Sequence, residues 1–304
     1  MSIICRACGG DDLPLVKPSN VNSALQSGNF AITDDSYGVT GAIYRCSRCG
    51  FMQCHDMPDV LDFYEDLVDP GYEMGRDQRL LQADKLLQTI TATSPSRPSR
   101  LRLLDIGAGS GILVQAARER GIDAEGVEPS EWLAATAEWH GCRVHKGVLP
   151  HPDVRGPYDI VTLIDVIEHV KDPAGLLKAA SAVLASDGLI AIVTPDASSV
   201  AARIMGWRWW HYRIAHIGYF NPTNLAVLCG RTGLEKVVQA RPGWYFTVSY
   251  LRHRLLQYLP SWLLPRADWM DRLVVPLNLR DSILLICRQA PATLKTGPAG
   301  APNE

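Results

Sequence analysis

The sequence predicts an α/β protein: a doubly wound sheet of seven strands with a small zinc-ribbon-like module ahead of it. Three observations carry that prediction. From Leu101 onward, short apolar runs alternate with helical stretches. One of these runs, LLDIGAGSG from Leu103 to Gly111, ends in an acid followed by three glycines at alternate positions. A buried strand reads this way where it enters a turn that must approach a ligand closely. Finally, two C-x-x-C-G motifs stand near the N-terminus, at Cys5 and Cys8 and at Cys46 and Cys49.

The cysteine motifs define the first module, expected over residues 1–56. A C-x-x-C turn presents two thiolates to one tetrahedral ion, and the glycine after it relieves the turn. Two such turns make a four-cysteine zinc site that stabilises folding and does no chemistry. The insert between them holds Gly, Asn, Ser and Asp, with a strand expected around Gly41 to Arg45. Cys54-His55 reads as a bystander pair. Cys142, Cys229 and Cys287 sit alone in apolar segments and read as core residues.

Residues 57–98 read as a helical connector, because Leu80, Leu81, Leu86, Leu87 and Ile90 recur at roughly helical spacing. The connector ends in the Ser- and Pro-rich break TATSPSRPSR. The main domain follows over 99–290. Strands are expected at 102–106, 124–127, 142–145, 158–164, 189–194, 235–239 and 282–288. Helices are expected at 111–120 and 131–140, each followed by a glycine. Two more open at Asp172-Pro173 and Asn221-Pro222, an N-cap residue with proline at the first helical position. Such an alternation places a ligand at the carboxyl ends of the strands. Two segments, about 196–220 and 244–280, fit neither repeat and read as cap insertions. The Pro-, Ala- and Gly-rich tail 291–304 is expected to be disordered.

Composition narrows the function classes. The chain has 304 residues, 47% apolar and 20% charged, with a formal net charge of -2. No global field favours a nucleic-acid partner. Arg203, Arg208 and Arg213 cluster locally and read as a solvated face. MSIICRACGG has no basic stretch followed by an apolar one, and no apolar run reaches the roughly 18 residues of a membrane span. The expectation is a cytoplasmic protein with reduced thiols.

Three readings compete for the glycine loop. A nucleoside-triphosphate loop needs Gly-Lys-Ser/Thr, whereas Gly111 precedes Ile112-Leu113. A dinucleotide fingerprint needs Gly or Ala at the sixth position from Gly107, which is Ile112. Asp105 would also repel a pyrophosphate. S-adenosylmethionine carries a sulfonium and an ammonium and no phosphate, so an acid beside the loop suits it. Glu128, about 20 residues further on, is placed to accept hydrogen bonds from both ribose hydroxyls.

With these residues in place, the sequence resembles the class I S-adenosylmethionine-dependent methyltransferases, whose fold is a Rossmann-like seven-stranded sheet. The matching stretches are LLDIGAGSGIL, GVEPS, YDIVTLIDVIEHVKDP and GLIAIVTPD, within roughly Leu101 to Arg288. They are similar to the set that includes quinone-biosynthesis and sugar methyltransferases. A four-cysteine module ahead of such a domain resembles the enzymes that methylate nucleotide-linked deoxysugars. Relatives that methylate carbon carry a further α/β domain, and the sequence ends at Glu304 without one, so O- or N-methylation is expected. The resemblance implies cofactor contacts from Asp105, Gly107, Ala108, Gly109, Gly111, Glu128 and Pro129, with Asp165 beside the methionine end. Where many relatives hold an adenine-binding acid, this chain has Lys146-Gly147-Val148.

Methyl transfer from a sulfonium mainly requires alignment of acceptor, methyl and sulfur. A hydroxyl acceptor also needs a base. The candidates are His169, expected in the first turn of the helix after the fourth strand and near the transfer site, and His211 and His216, in the segment that covers the acceptor pocket in relatives. Trp209, Trp210 and Tyr212 are expected to stack on an acceptor ring, against the alternative of a packed core. The long apolar segment from Phe246 to Asp281 reads as a cap; an interfacial helix reaching lipid-linked acceptors is the alternative. The expected activity is methyl transfer to a small hydroxylated acceptor, a nucleotide- or lipid-linked sugar. The alternatives are a quinone-like acceptor, RNA, or S-adenosylmethionine binding without catalysis.

Overall fold

The computed structural model describes residues 3–94 and 101–291. Most of the Ser- and Pro-rich break and nearly all of the expected disordered tail lie outside the described residues. Strands β1 (Leu15–Lys17), β2 (Ile43–Arg45) and β3 (Met52–Cys54) form an antiparallel sheet around the two cysteine turns. Helices α1 (Leu61–Tyr64), α2 (Pro70–Met74) and α3 (Arg76–Thr93) follow. Asp69 caps α2 by accepting the Tyr72 N–H at 3.1 Å, with Pro70 at the first helical position. α3 buries Ala83, Leu86, Leu87 and Ile90, whereas Leu81 stays exposed.

The alternating unit then runs β4 (Arg102–Ile106), α4 (Ile112–Glu119), β5 (Asp123–Glu128), α5 (Glu131–Trp139), β6 (Val144–Lys146), β7 (Tyr158–Ile164), α6 (Pro173–Ala182) and β8 (Leu184–Pro195). It continues with α7 (Val200–Met205), β9 (Gly218–Tyr219), α8 (Pro222–Arg231), β10 (Leu234–Ala240), β11 (Trp244–Thr247), α9 (Val248–Leu255), β12 (Val274–Leu277) and β13 (Ser282–Gln289). Seven strands form one sheet in the order β10-β13-β8-β7-β4-β5-β6, with β13 antiparallel to both neighbours. The chain leaves β4 toward β6, then returns to place β7 on the other side of β4. That reversal opens a crevice at the carboxyl ends of β4 and β7.

The sheet is buried on both faces, so its central strands are apolar along their length. Leu104, Val161 and Ile190 face one core layer with α6 and α8, and Leu103, Ile160 and Ala191 face the other with α3 and α4. The first layer also takes in Cys5, Ala7, Cys46 and Phe51, so the cysteine module packs into the main core. The Phe51 and Phe220 rings lie 4.6 Å apart, and β9 joins the module's sheet beside β3.

Two elements differ from expectation. The third strand begins at Val144 rather than Cys142, because the Cys142 N–H closes the end of α5 on Ala137 O at 2.9 Å. The segment 244–280 is a hairpin of β11 and β12 with α9 and two short turns between its strands. Among the described residues, no helix is long and apolar enough to cross a membrane.

Candidate active site

The glycine loop is built by backbone conformation. Gly107, Gly109 and Gly111 all have positive φ, at 70°, 53° and 76°. A Cβ on Gly107 would meet Val166 at 2.5 Å, so β4 and the loop after β7 can approach only without one. Gly107, Ala108 and Gly109 line the crevice. Gly111 does not; a Cβ there would meet Cys142 at 2.7 Å and Ala137 at 3.2 Å, so this glycine serves the packing of α4 against α5.

Three acids stand around the loop. Asp105 is buried and accepts a hydrogen bond from Thr162 Oγ1 at 2.6 Å. Glu128 accepts Gly109 N–H on Oε2 at 2.8 Å and Ser130 N–H on Oε1 at 2.9 Å. Asp165, just beyond β7, has φ 53°, rare for a residue with a side chain and held here by its N–H on Val193 O at 2.9 Å. Burial pushes the carboxyl groups of Asp105, Glu128 and Asp165 up to about 7, against opposing hydrogen bonds at the first two and Arg79 at the third. Pro129 lines the crevice beside Glu128.

The three histidines converge. The His169 and His216 rings meet edge to face at 4.7 Å, and His211 stacks on His216 at 5.7 Å. Burial lowers His169 to about 4 and His211 to about 3, with the Arg213 charge adding to both, and it drives His216 well down as well. All three are therefore neutral at pH 7. His169 lies in a short 3₁₀ turn, Ile167–His169, not in the helix that follows. Its Nδ1–H donates to Ala215 O at 2.8 Å, which leaves Nε2 as the acceptor.

Of the aromatics expected at the acceptor, only Trp210 lines the crevice, with Nε1–H donating to Asp281 Oδ2 at 3.1 Å. Trp209 is fully buried and Tyr212 nearly so, both in a core cluster with Phe30, Ile43 and Tyr219. They correct the expectation of a stacking face, because their rings fill the space between the cysteine module and the segment before β9.

The crevice has a volume of about 1690 Å³. This exceeds the usual range for a single small ligand, about 300–1,000 Å³. Sequence reasoning missed several of its residues. Tyr72 and Arg79 come from the connector, and the Arg79 guanidinium lies 4.2 Å from the Tyr72 ring centroid. Tyr250 and Arg254 come from α9, with the guanidinium 4.9 Å from Tyr250 and 5.5 Å from Tyr37. Glu168 precedes His169 and is 1% exposed. Only the adjacency of Glu168 and His169 carried a signal in the sequence; the others depend on long-range folding.

The four cysteines meet as expected. The Sγ atoms of Cys5, Cys8, Cys46 and Cys49 lie within 4.8 Å of one another, with Cys5 to Cys49 at 3.6 Å and Cys8 to Cys46 at 3.5 Å. A tetrahedral zinc with Zn–S of about 2.3 Å needs edges of about 3.8 Å, so the cluster could hold that ion. The two turns match: Gly9 N–H reaches Cys5 O at 2.8 Å, Gly50 N–H reaches Cys46 O at 2.9 Å, and both glycines have positive φ.

Comparison with known proteins identifies the fold and family. A family model described as a methyltransferase domain matches residues 76–240, more than half of the chain. The chain belongs to this methyltransferase domain family. The matched span includes α3, so the second half of the connector falls inside the methyltransferase match. The chain is 34% identical over 114 residues to a ubiquinone biosynthesis O-methyltransferase of Bradyrhizobium diazoefficiens, covering 35% of this chain and 45% of that one. It is 33% identical over 150 residues to the protein of the same name from Bordetella avium, covering 44% and 62%. The chain thus spans about half the length of the curated relatives it matches. Among solved structures, it superposes with a TM-score of 0.54 on a chain of the Haloferax volcanii complex containing the Trm112 methyltransferase activator, at 15% identity, covering 77% of this chain and all of that one. That likeness concerns the fold.

Proposed function

We propose that the methyltransferase transfers the methyl group of S-adenosylmethionine to a hydroxyl oxygen of a small sugar-like acceptor that carries an anionic group. In this reading Glu128 accepts the ribose hydroxyls on its remaining lone pairs. Asp105 and Asp165 face the cationic methionine end, and the backbone of Gly107, Ala108 and Gly109 lies along the cofactor. The reaction forms an O–CH₃ bond as the C–S bond breaks with its electron pair returning to sulfur, releases the hydroxyl proton to crevice water and leaves S-adenosylhomocysteine.

The observation that carries the acceptor class is a set of arginines with unpaired donors standing among the acids of the crevice wall. Arg79 and Arg213 both line it, and each keeps a buried Nε without a hydrogen-bond partner. Arg254 lies between two tyrosine rings on the cap side. Unpaired buried donors cost stability unless a ligand satisfies them, and a phosphate or carboxylate does so with charge assistance.

A quinone-like acceptor is the second reading, favoured by the names of the relatives. The cap also exposes the apolar side chains of Leu259, Trp262, Leu263, Trp269 and Leu273, which suit a peripheral membrane contact. Methyl-labelled S-adenosylmethionine offered with nucleoside-diphosphate sugars and, separately, with polyprenylated catechols in anionic vesicles tests both. Label in the sugar is the expected result; label confined to the catechol overturns the acceptor class.

A further inference from the structure

We propose that Glu168, His169 and His216 form a binding site for a divalent metal ion on the floor of the crevice, separate from the four-cysteine cluster. One ligand atom from each of the three residues lies within 4.8 Å of the others. All three residues line the crevice, next to Asp165. Two histidines and a carboxylate are a donor set for a divalent transition metal with open positions for a ligand.

The local hydrogen bonds orient these groups. His169 Nδ1–H donates to Ala215 O at 2.8 Å, so its Nε2 presents a lone pair. Metal-binding histidines are held in this way by their second nitrogen. Thr194 Oγ1–H donates to Glu168 Oε2 at 2.9 Å, while Glu168 Oε1 is buried with no hydrogen-bond partner. That orphan oxygen stands 3.9 Å from His169 Nε2, too far for a hydrogen bond. A metal with ligand distances of about 2.0–2.2 Å needs neighbouring ligands about 3 to 3.5 Å apart, within reach of small side-chain rotations. The backbone joins the two contributing segments again through Ile217 N–H to Glu168 O at 2.9 Å. His216 is therefore presented by a segment clamped on both sides to the turn that carries the other two ligands.

The surroundings suit a cation. Asp165, three residues before Glu168, adds a second carboxylate to the same stretch of the crevice wall. Arg213 opposes it, but two of its guanidinium nitrogens are engaged by Ala31 O and Ile32 O. A cation here would take the place of a histidine base. An acceptor hydroxyl bound to it loses its proton to crevice water more readily, and the resulting oxygen attacks the methyl carbon as the pair in the C–S bond returns to sulfur. This catalytic consequence rests on the methyl-transfer reading; the binding site does not.

The test is metal binding to the whole chain with zinc already on its cysteines. Mn²⁺, which has little affinity for thiolates, is titrated in, and free Mn²⁺ is read by electron paramagnetic resonance. Co²⁺ absorption then reports whether nitrogen and oxygen or sulfur binds the ion. Wild type is expected to take up one further ion per chain, with a Co²⁺ spectrum free of thiolate charge transfer. Glu168→Gln, which keeps the side-chain shape, and His216→Ala should each weaken binding about tenfold or more. His151→Ala should not, although His145, His151 and Asp153 form another candidate group on the surface. No saturable uptake of either ion by wild type, or uptake that Glu168→Gln retains, overturns the site. S-adenosylhomocysteine binding measured on the same samples separates the two readings: a protein that binds it but no metal loses only the metal site, and the reverse loses only the cofactor assignment.

Discussion

Glu128 Oε2 accepts the Gly109 N–H at 2.8 Å, tying the end of β5 to the glycine loop that follows β4. One carboxylate thus shapes the loop and faces the crevice. Removing it should unpin the loop and delete the proposed ribose contact together. A hydrogen bond to a charged group contributes about 1.5–3 kcal/mol, so Glu128→Ala should weaken S-adenosylhomocysteine binding about ten- to hundredfold. Glu128→Gln keeps one acceptor oxygen and should lose less. Isothermal titration of both variants checks this, and an alanine variant that binds like wild type would remove Glu128 from the site.

Gly126 is a packing glycine inside β5, where no unusual φ requires it. A Cβ there would meet the Ala108 Cβ at 2.5 Å and Asp105 O at 3.1 Å. Both neighbours belong to the end of β4 and its loop, so neither can move without displacing the site. Gly126→Ala should cost about 1–3 kcal/mol of stability and weaken cofactor binding together. Denaturant melts with and without S-adenosylhomocysteine read both effects. A variant destabilised but unimpaired in binding would show that the loop tolerates the shift.

The sheet was legible because its signals are local. Apolar runs, glycines after helices and the Asp-Pro and Asn-Pro openings each mark an element by its own residues, and YDIVTLI forms β7 over the expected span. The loop and its three acids were legible because they sit at strand ends. The other wall was not, because it comes from distant parts of the chain. Tyr72 and Arg79 arrive from before the sheet, and Tyr250 and Arg254 from a hairpin whose pairing joins residues about thirty apart. Tryptophan density misled at Trp209, since the same residue type fills cores and lines pockets. Glu168 adjoins His169, but nothing local shows that the segment before β9, about fifty residues later, will bring His216 to it.

The cysteine cluster makes a prediction about stability. Its module shares a core layer with α6 and α8, and Arg231 Nη1–H donates to Ala7 O at 2.7 Å. Loss of the ion should therefore loosen more than the N-terminal residues. Cys46→Ser, or treatment with a strong chelator, should lower the melting temperature and cost several kcal/mol, since metal-binding free energy is folding free energy here. Metal analysis should find one zinc per chain before treatment. A chain that contains no zinc and melts unchanged as Cys46→Ser would contradict the assignment.

The pH dependence of stability and of binding should run in opposite directions. Burial raises Glu128 to about 7 in the folded chain, above its ordinary carboxylate value. A raised folded value means the folded state holds a proton that the unfolded state has lost. The stability this contributes is complete below about pH 4 and disappears as pH rises through about 7. Other groups titrate too, among them Glu125, which is lowered by His145, Tyr158 and Arg143 against its burial. The contribution should therefore be read as the difference between wild type and Glu128→Gln. Ligand binding favours the ionised form, which accepts ribose hydroxyls on both oxygens; Asp105 and Asp165, also near 7, add attraction for the ammonium group of the ligand's amino-acid end. Affinity for S-adenosylhomocysteine should rise about tenfold from pH 5.5 to 7.5 as these groups ionise. The ligand-induced rise in melting temperature should therefore grow with pH while the ligand-free difference shrinks. Equal ligand-induced shifts at both pH values would mean that these acids do not change charge when the ligand binds.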